Sequence, residues 1–163
     1  MTKQEMIDKI IQECYDQDIT NLDAVKYVLA TVEHETNGTF MPVKEAYWLT
    51  ESWRKKNLRY YPYYGRGLVQ ITWEENYMKF SDILTKMYNS NYIDLVSMPD
   101  LALNEDFAVK ILVYGMKHGS FTGKRLDHYF TDKGSDFVNA RRIINGKDKA
   151  KRIAGLAQQT NLS

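Results

Sequence analysis

The sequence holds a single cysteine, Cys14, among 163 residues, so no internal disulfide can form and folding needs no oxidising compartment. Cys14 lies at helical spacing with no histidine near it, which fits a packed thiol rather than a nucleophile. Long apolar runs are missing too. None approaches the ~18 residues of a membrane span, so no membrane insertion is expected. The opening MTKQEMIDKI has no apolar stretch of the signal-peptide kind. Neither sign of charge dominates: 22 basic and 21 acidic residues leave a net charge of +1, which excludes a generally basic nucleic-acid binder. Histidines number three, His34, His118 and His128, without ligand spacing. A zinc-protease helix places a second histidine four residues after the first; after His34 that position is Gly38. Neither a metal nor a cofactor is expected.

The hydrophobic fraction is 44%, and a chain of this length can bury a core as one domain, expected over residues 1–163. Charged residues of both signs make up 26%, which argues against disorder. Aromatic residues reach 13% and concentrate in residues 47–77. Such faces suit sugar rings, but they also build cores, and composition by itself favours the core.

The elements read mostly as helix. Thr2 with Glu5 forms a capping box before the stripe Met6, Ile7, Ile10, Ile11 and Cys14. Asn21 opens a second helix carrying Ala24, Val25, Val28, Leu29 and Val32 through Glu35, stopped by Asn37-Gly38. A short helical piece is expected in residues 45–56, a strand in 68–72, and helix in 73–87. Asn104 caps a helix to about His118; further helices are expected at about 124–130, 135–144 and 148–159. The fold class is α+β, predominantly helical, with a small β-element in the first half.

Glu35 stands where an apolar helix runs out into an irregular, aromatic-rich segment, and a partly buried carboxyl there suits a general acid at neutral pH. From position alone a helix-end glutamate is more often solvated. Glycoside hydrolysis needs a second carboxyl facing the first. Glu45 and Glu51 both fall in the irregular segment, and the residues alone leave the choice open. Glu74 and Glu75 open a helix, where acids complement the dipole. On the expected strand, Gln70 and Thr72 project to one side and could hold a water or a sugar hydroxyl. The basic residues Arg141, Arg142, Lys147, Lys149, Lys151 and Arg152 form a solvated face or meet an anionic polymer, and the same holds for Arg54-Lys55-Lys56 and Arg59.

Three motifs occur in order: His34-Glu35-Thr36; Tyr-Tyr-Gly-Arg-Gly-x-x-Gln-x-Thr at 63–72 with Asn76-Tyr77 after it; and Arg-Ile-Ile-Asn-Gly at 142–146. Together they resemble glycoside hydrolase family 19, the chitinases and related phage endolysins of the lysozyme-like superfamily, over residues 28–157. The resemblance implies a lysozyme-like catalytic domain. It implies Glu35 as general acid beside His34, Glu45 as base, Thr72 as holder of the attacking water, and Arg152 as partner of the base. Substrate contacts are implied at Gln70 and Asn145, and Tyr64, Arg66 and Trp73 of the 63–73 stretch are expected to add to them. The sequence departs from the plant enzymes in lacking their cysteines and in carrying Lys147 after Gly146. A phage-lysozyme analogy also selects Glu35 and Glu45 but favours Thr50 over Thr72. The expected activity is cleavage of β-1,4 bonds in peptidoglycan by a monomeric endolysin. It is expected to be made in a bacterial host's cytoplasm and to reach periplasm or wall after membrane disruption. Chitin, or wall binding without catalysis, are the alternatives.

Overall fold

A computed structural model describes residues 1–162. The described chain forms six α-helices, α1 Lys3–Asp16, α2 Leu22–Glu35, α3 Glu51–Asn57, α4 Glu74–Tyr88, α5 Glu105–His118 and α6 Ala150–Gln159, with two small antiparallel sheets. It resolves into two compact units. One comprises residues 1–40 with the chain from Leu112 onward, and the other is residues 41–111. The predominantly helical α+β class read from the sequence is the class observed.

In the first unit α2 is the central element. Ala24, Val25, Val28, Leu29 and Val32 are buried as the spacing predicts, and Tyr27, Ala30 and Thr31 are buried as well. A helix apolar on nearly every side belongs inside a core. Its main neighbour is α6, which offers Ala150, Ile153, Ala154 and Ala157, mostly small residues that allow close approach. The capping box of Thr2 and Glu5 is present on α1, and Met6, Ile10 and Cys14 are buried beneath it. Burial pushes the Cys14 thiol up to about 12, which keeps it protonated and inert.

The expected helices at 124–130 and 135–144 are not α-helices. The chain instead makes 3-10 helices at Leu126–His128 and Asn139–Ile143, flanking a hairpin of β3 Phe130–Thr131 and β4 Gly134–Ser135. Phe130 and Thr131 suit a strand, and Gly134, in the gap between the two expected helices, takes φ +150° and pairs with Thr131.

In the second unit β1 Val43–Lys44 pairs with β2 Arg66–Gly67. Residues 68–72 are not the expected strand. After Gly67, at φ +114°, the chain turns tightly and returns so that Arg66 bridges Ile71. Leu68, Val69 and Ile71 all point inward while Gln70 is exposed, so Gln70 and Thr72 do not share a strand face. The helical piece expected at 45–56 begins only at Glu51, where the Thr50 hydroxyl accepts the Trp53 amide at 3.1 Å. On α4 the buried residues Tyr77, Phe80, Ser81 and Leu84 follow helical spacing. Asn104 does cap α5, accepting from the Phe107 amide at 3.1 Å.

The cap of α2 matters because that helix carries Glu35 at its far end. The Asn21 side chain accepts the Ala24 amide at 3.1 Å. Asn21→Ala is expected to cost about 1 kcal/mol, read as a lower denaturation midpoint with an unchanged slope. No change in midpoint would mean that the helix start is held by packing alone.

Candidate active site

Glu35 is the last residue of α2, and the turn after it is closely specified. Thr36 caps the helix, its hydroxyl donating to the Val32 carbonyl at 2.7 Å and accepting the Phe40 amide at 2.9 Å. Asn37 and Gly38 take positive φ, and the Gly38 amide returns to the Glu33 carbonyl at 2.7 Å. The carboxyl is only partly exposed, at 22%, and its Oε1 accepts from Arg141 Nη1 at 2.9 Å.

Arg141 comes from the 3-10 helix Asn139–Ile143, where Ala140 and Ile143 are buried beside it. Its Nε donates to the Asp148 carbonyl at 2.9 Å, which ties the turn after residue 144 to the same guanidinium. Arg141 is buried, so the solvated-face reading of the basic cluster fails for this member. Tyr27 on α2 is buried near this pair, and burial pushes its hydroxyl well above the ordinary range.

His34 is half-buried, and Arg152 Nε lies 3.4 Å from His34 Nδ1. Arg152, assigned to the base by the resemblance, thus has its described contact with His34. The cation holding a candidate catalytic carboxyl here is Arg141, on Glu35. Desolvation lowers the His34 imidazole below its ordinary value, with Arg141 and Arg152 adding to the effect and Glu35 opposing it. Asn145 is exposed; its side chain accepts the Gly146 amide at 2.8 Å in the turn before α6.

In the second unit Glu45 follows β1 directly. Its amide donates to the Gly65 carbonyl at 2.7 Å and its Oε1 accepts the Gly65 amide at 2.9 Å. Oε2 accepts the Tyr60 hydroxyl at 2.5 Å. Burial, with that bond to Glu45, pushes the Tyr60 hydroxyl up to about 12. Gly65 is required by close approach, since a Cβ there would meet Gln70 Oε1 at 2.7 Å. Gln70 therefore stands against the peptide that holds Glu45.

Glu51 is more exposed and sits in the first turn of α3. Its Oε1 accepts from the Tyr64 hydroxyl at 3.0 Å and from Arg54 at 3.2 Å. Burial acts to raise the Glu51 carboxyl, but the hydroxyls of Tyr61 and Tyr64, with Lys44 and Arg54, outweigh it and hold the group below the usual value. Arg54 is a second correction to the solvated-face reading. It is buried, and it donates to the carbonyls of Glu45 and Ala46 at 2.9 and 3.0 Å, while Lys55 and Lys56 are exposed.

Tyr64 and Arg66, expected as substrate contacts, are buried in the frame of the loop. The Arg66 guanidinium lies 3.8 Å over the Tyr64 ring and donates to the Pro62 carbonyl, the Tyr77 hydroxyl and Asp100. Trp73 is exposed at 41%, with Tyr60 and Arg59 beside its ring. Thr72 is half-buried, and its carbonyl accepts from Asn76 at 2.8 Å. Thr50 serves as a helix cap, which already engages its hydroxyl. Among the described residues no group of three or more His, Cys, Asp or Glu could hold a metal, and no helix is long and apolar enough to cross a membrane. No protein-family model matches the chain, and no curated protein matches it.

Two measurements probe the Glu35 cluster. In an NMR titration His34 should titrate below about 6.5. Glu35→Gln, by removing the charge that opposes the depression, should lower it further. Because the folded state then binds this proton less readily than the unfolded chain, His34 favours the fold fully above about 6.5, and that stabilisation falls as pH drops through the lowered value. A value at or above the ordinary one would contradict the burial argument. Separately, Arg141→Met should cost about 2 kcal/mol at neutral pH, less than for a fully buried pair because Glu35 is partly solvated. A double-mutant cycle with Glu35→Gln should recover part of this loss; strict additivity would show the pair to be energetically idle.

Proposed function

We propose that this protein is a glycoside hydrolase that cuts β-1,4 bonds of peptidoglycan glycan strands, with Glu35 as general acid and Glu45 as base. The observation that carries the reading is the Glu35–Arg141 pair at the end of α2. One carboxylate oxygen, Oε1, is held by a buried guanidinium. Oε2, the oxygen that Arg141 does not hold, is the one left to carry a proton to the substrate from the end of a rigid helix. As that proton passes to the leaving glycosidic oxygen, Arg141 stabilises the carboxylate that develops.

Glu45 takes a proton from a water held by Thr72, and that water attacks the anomeric carbon from the opposite face, inverting its configuration. Support for Glu45 over Glu51 comes from its partners. The Tyr60 hydroxyl and Gly65 amide orient its carboxylate without a cation on it, whereas Glu51 is paired with Arg54. The exposed Trp73 ring, with Gln70 and Asn145, supplies sugar contacts. Tyr64, Arg66 and Arg54 keep the loops in place. The motif resemblance to phage endolysins supports the bacterial wall as target. On this reading the protein acts as a monomer and reaches the wall from the host cytoplasm once another agent has breached the membrane.

The test is lysis of outer-membrane-stripped bacteria by wild type beside Glu35→Gln. Loss of more than about a hundredfold is expected for removal of a general acid. NMR of the first-formed product should show the α-anomer; the β-anomer would instead mean retention and would remove Glu45 from the role of base. Wild type that releases no reducing sugar from purified sacculi would sink the proposal. Cleavage of chitin oligomers alone would move the substrate.

A further inference from the structure

Residues 138–152 hold six basic residues against Asp148 alone, so this stretch carries +5 while the rest of the chain carries −4. In the first unit the stretch forms a groove of about 450 Å³. Lys147, Lys149, Lys151 and Arg152 line it, and the remaining lining is Val138, Asn139 and Ala150. It therefore contains four cations and neither a carboxylate nor an aromatic ring. Among the described residues no carboxylate lies within ion-pair distance of the ammonium groups of Lys147, Lys149 and Lys151. Three unneutralised ammoniums around one groove repel one another, and an anionic occupant relieves that repulsion.

The groove adjoins the candidate acid. Arg152 lines it and also donates to His34, the neighbour of Glu35 in sequence. Its chemistry differs from that of a sugar platform. With no ring to stack on, it does not suit a bare glycan or a single-stranded nucleic acid, both of which use aromatic faces. Val138 alone offers exposed apolar surface, too little for a helix lying in a lipid interface. What the lining does fit is a short peptide with small aliphatic side chains and free carboxylates. The lysines would take the carboxylates, Asn139 the backbone amides, and Val138 a methyl group.

We propose that this groove binds the acidic peptide borne by the glycan strand, and so makes the enzyme prefer peptide-substituted strands to uncharged ones. This rests on the peptidoglycan reading above and extends it to a recognition element for the substituent.

The experiment compares intact sacculi with sacculi stripped of their peptides by an amidase. It uses wild type, the triple variant Lys147→Gln, Lys149→Gln and Lys151→Gln, and a control of equal charge change, Lys55→Gln, Lys56→Gln and Lys133→Gln. Circular dichroism and thermal melts check that all three fold. Wild type should cleave peptide-bearing strands with kcat/KM about tenfold above bare strands, since each solvated charge pair is worth only a few-fold. The preference should sit in KM and fade toward 1 M salt, where the screening length is about 3 Å. In the triple variant the ratio should approach one, and in the control it should stay at the wild-type value. An equal ratio in wild type and triple variant overturns the proposal, as does an equal loss in the control.

If no strand is cleaved at all, the hydrolase reading falls, and co-sedimentation decides the groove separately. Binding to intact sacculi that is lost on peptide removal and in the triple variant supports it. Equal binding to stripped sacculi, no binding to either, or stronger binding to single-stranded DNA or anionic vesicles overturns it.

Discussion

A buried guanidinium must find an acceptor for each donor it takes out of water, and the described chain buries three: Arg54, Arg66 and Arg141. Their donors reach the backbone and side chains of loops that have little regular structure of their own. Arg141 ties the end of α2 to the turn before α6 through Glu35 and the Asp148 carbonyl. Arg54 fixes the carbonyls of Glu45 and Ala46. Arg66 joins the carbonyls of Pro62 and Tyr64 to Tyr77 and Asp100. Strands of two residues cannot organise a loop of this length, so these charge-assisted hydrogen bonds supply the rigidity that a ladder would otherwise give.

The aromatic residues of the second unit divide along the same line. Tyr64 and Tyr77 are buried and work with Arg66, whereas Tyr47, Trp48 and Trp73 remain exposed. Tyr60 stands between the two groups, with its hydroxyl on Glu45 and its ring against Trp73. Core and surface uses of aromatic rings thus coexist within about thirty residues, which is why composition alone could not separate them.

Much of the helical framework was legible. The capping box at Thr2, the Asn21 and Asn104 caps and the Asn37-Gly38 stop all act within five residues of the backbone groups they satisfy. The failures are equally specific. Alternation in residues 68–72 suggests a strand, but Gly67 turns the chain and Leu68, Val69 and Ile71 are all buried. Residues 124–130 and 135–144 read as helices because a short apolar period does not distinguish α from 3-10 or from a hairpin. Arg54 and Arg141 were grouped with exposed neighbours because charge runs usually face water, and nothing local marks the member that turns inward.

The sequence by itself determined the helices, their caps and stops, the apolar faces that α1, α2 and α4 bury, and the motif that brackets Gln70. These depend on spacing along the chain and on groups a few residues apart. Tertiary structure decided which arginines are buried, which carboxylate each one holds, and that Tyr64 and Arg66 support a loop instead of meeting solvent. The Arg141–Glu35 pair joins residues 106 positions apart. Local propensity carries no information at that range; only the folded chain, by removing the guanidinium from water, makes a distant carboxylate its partner.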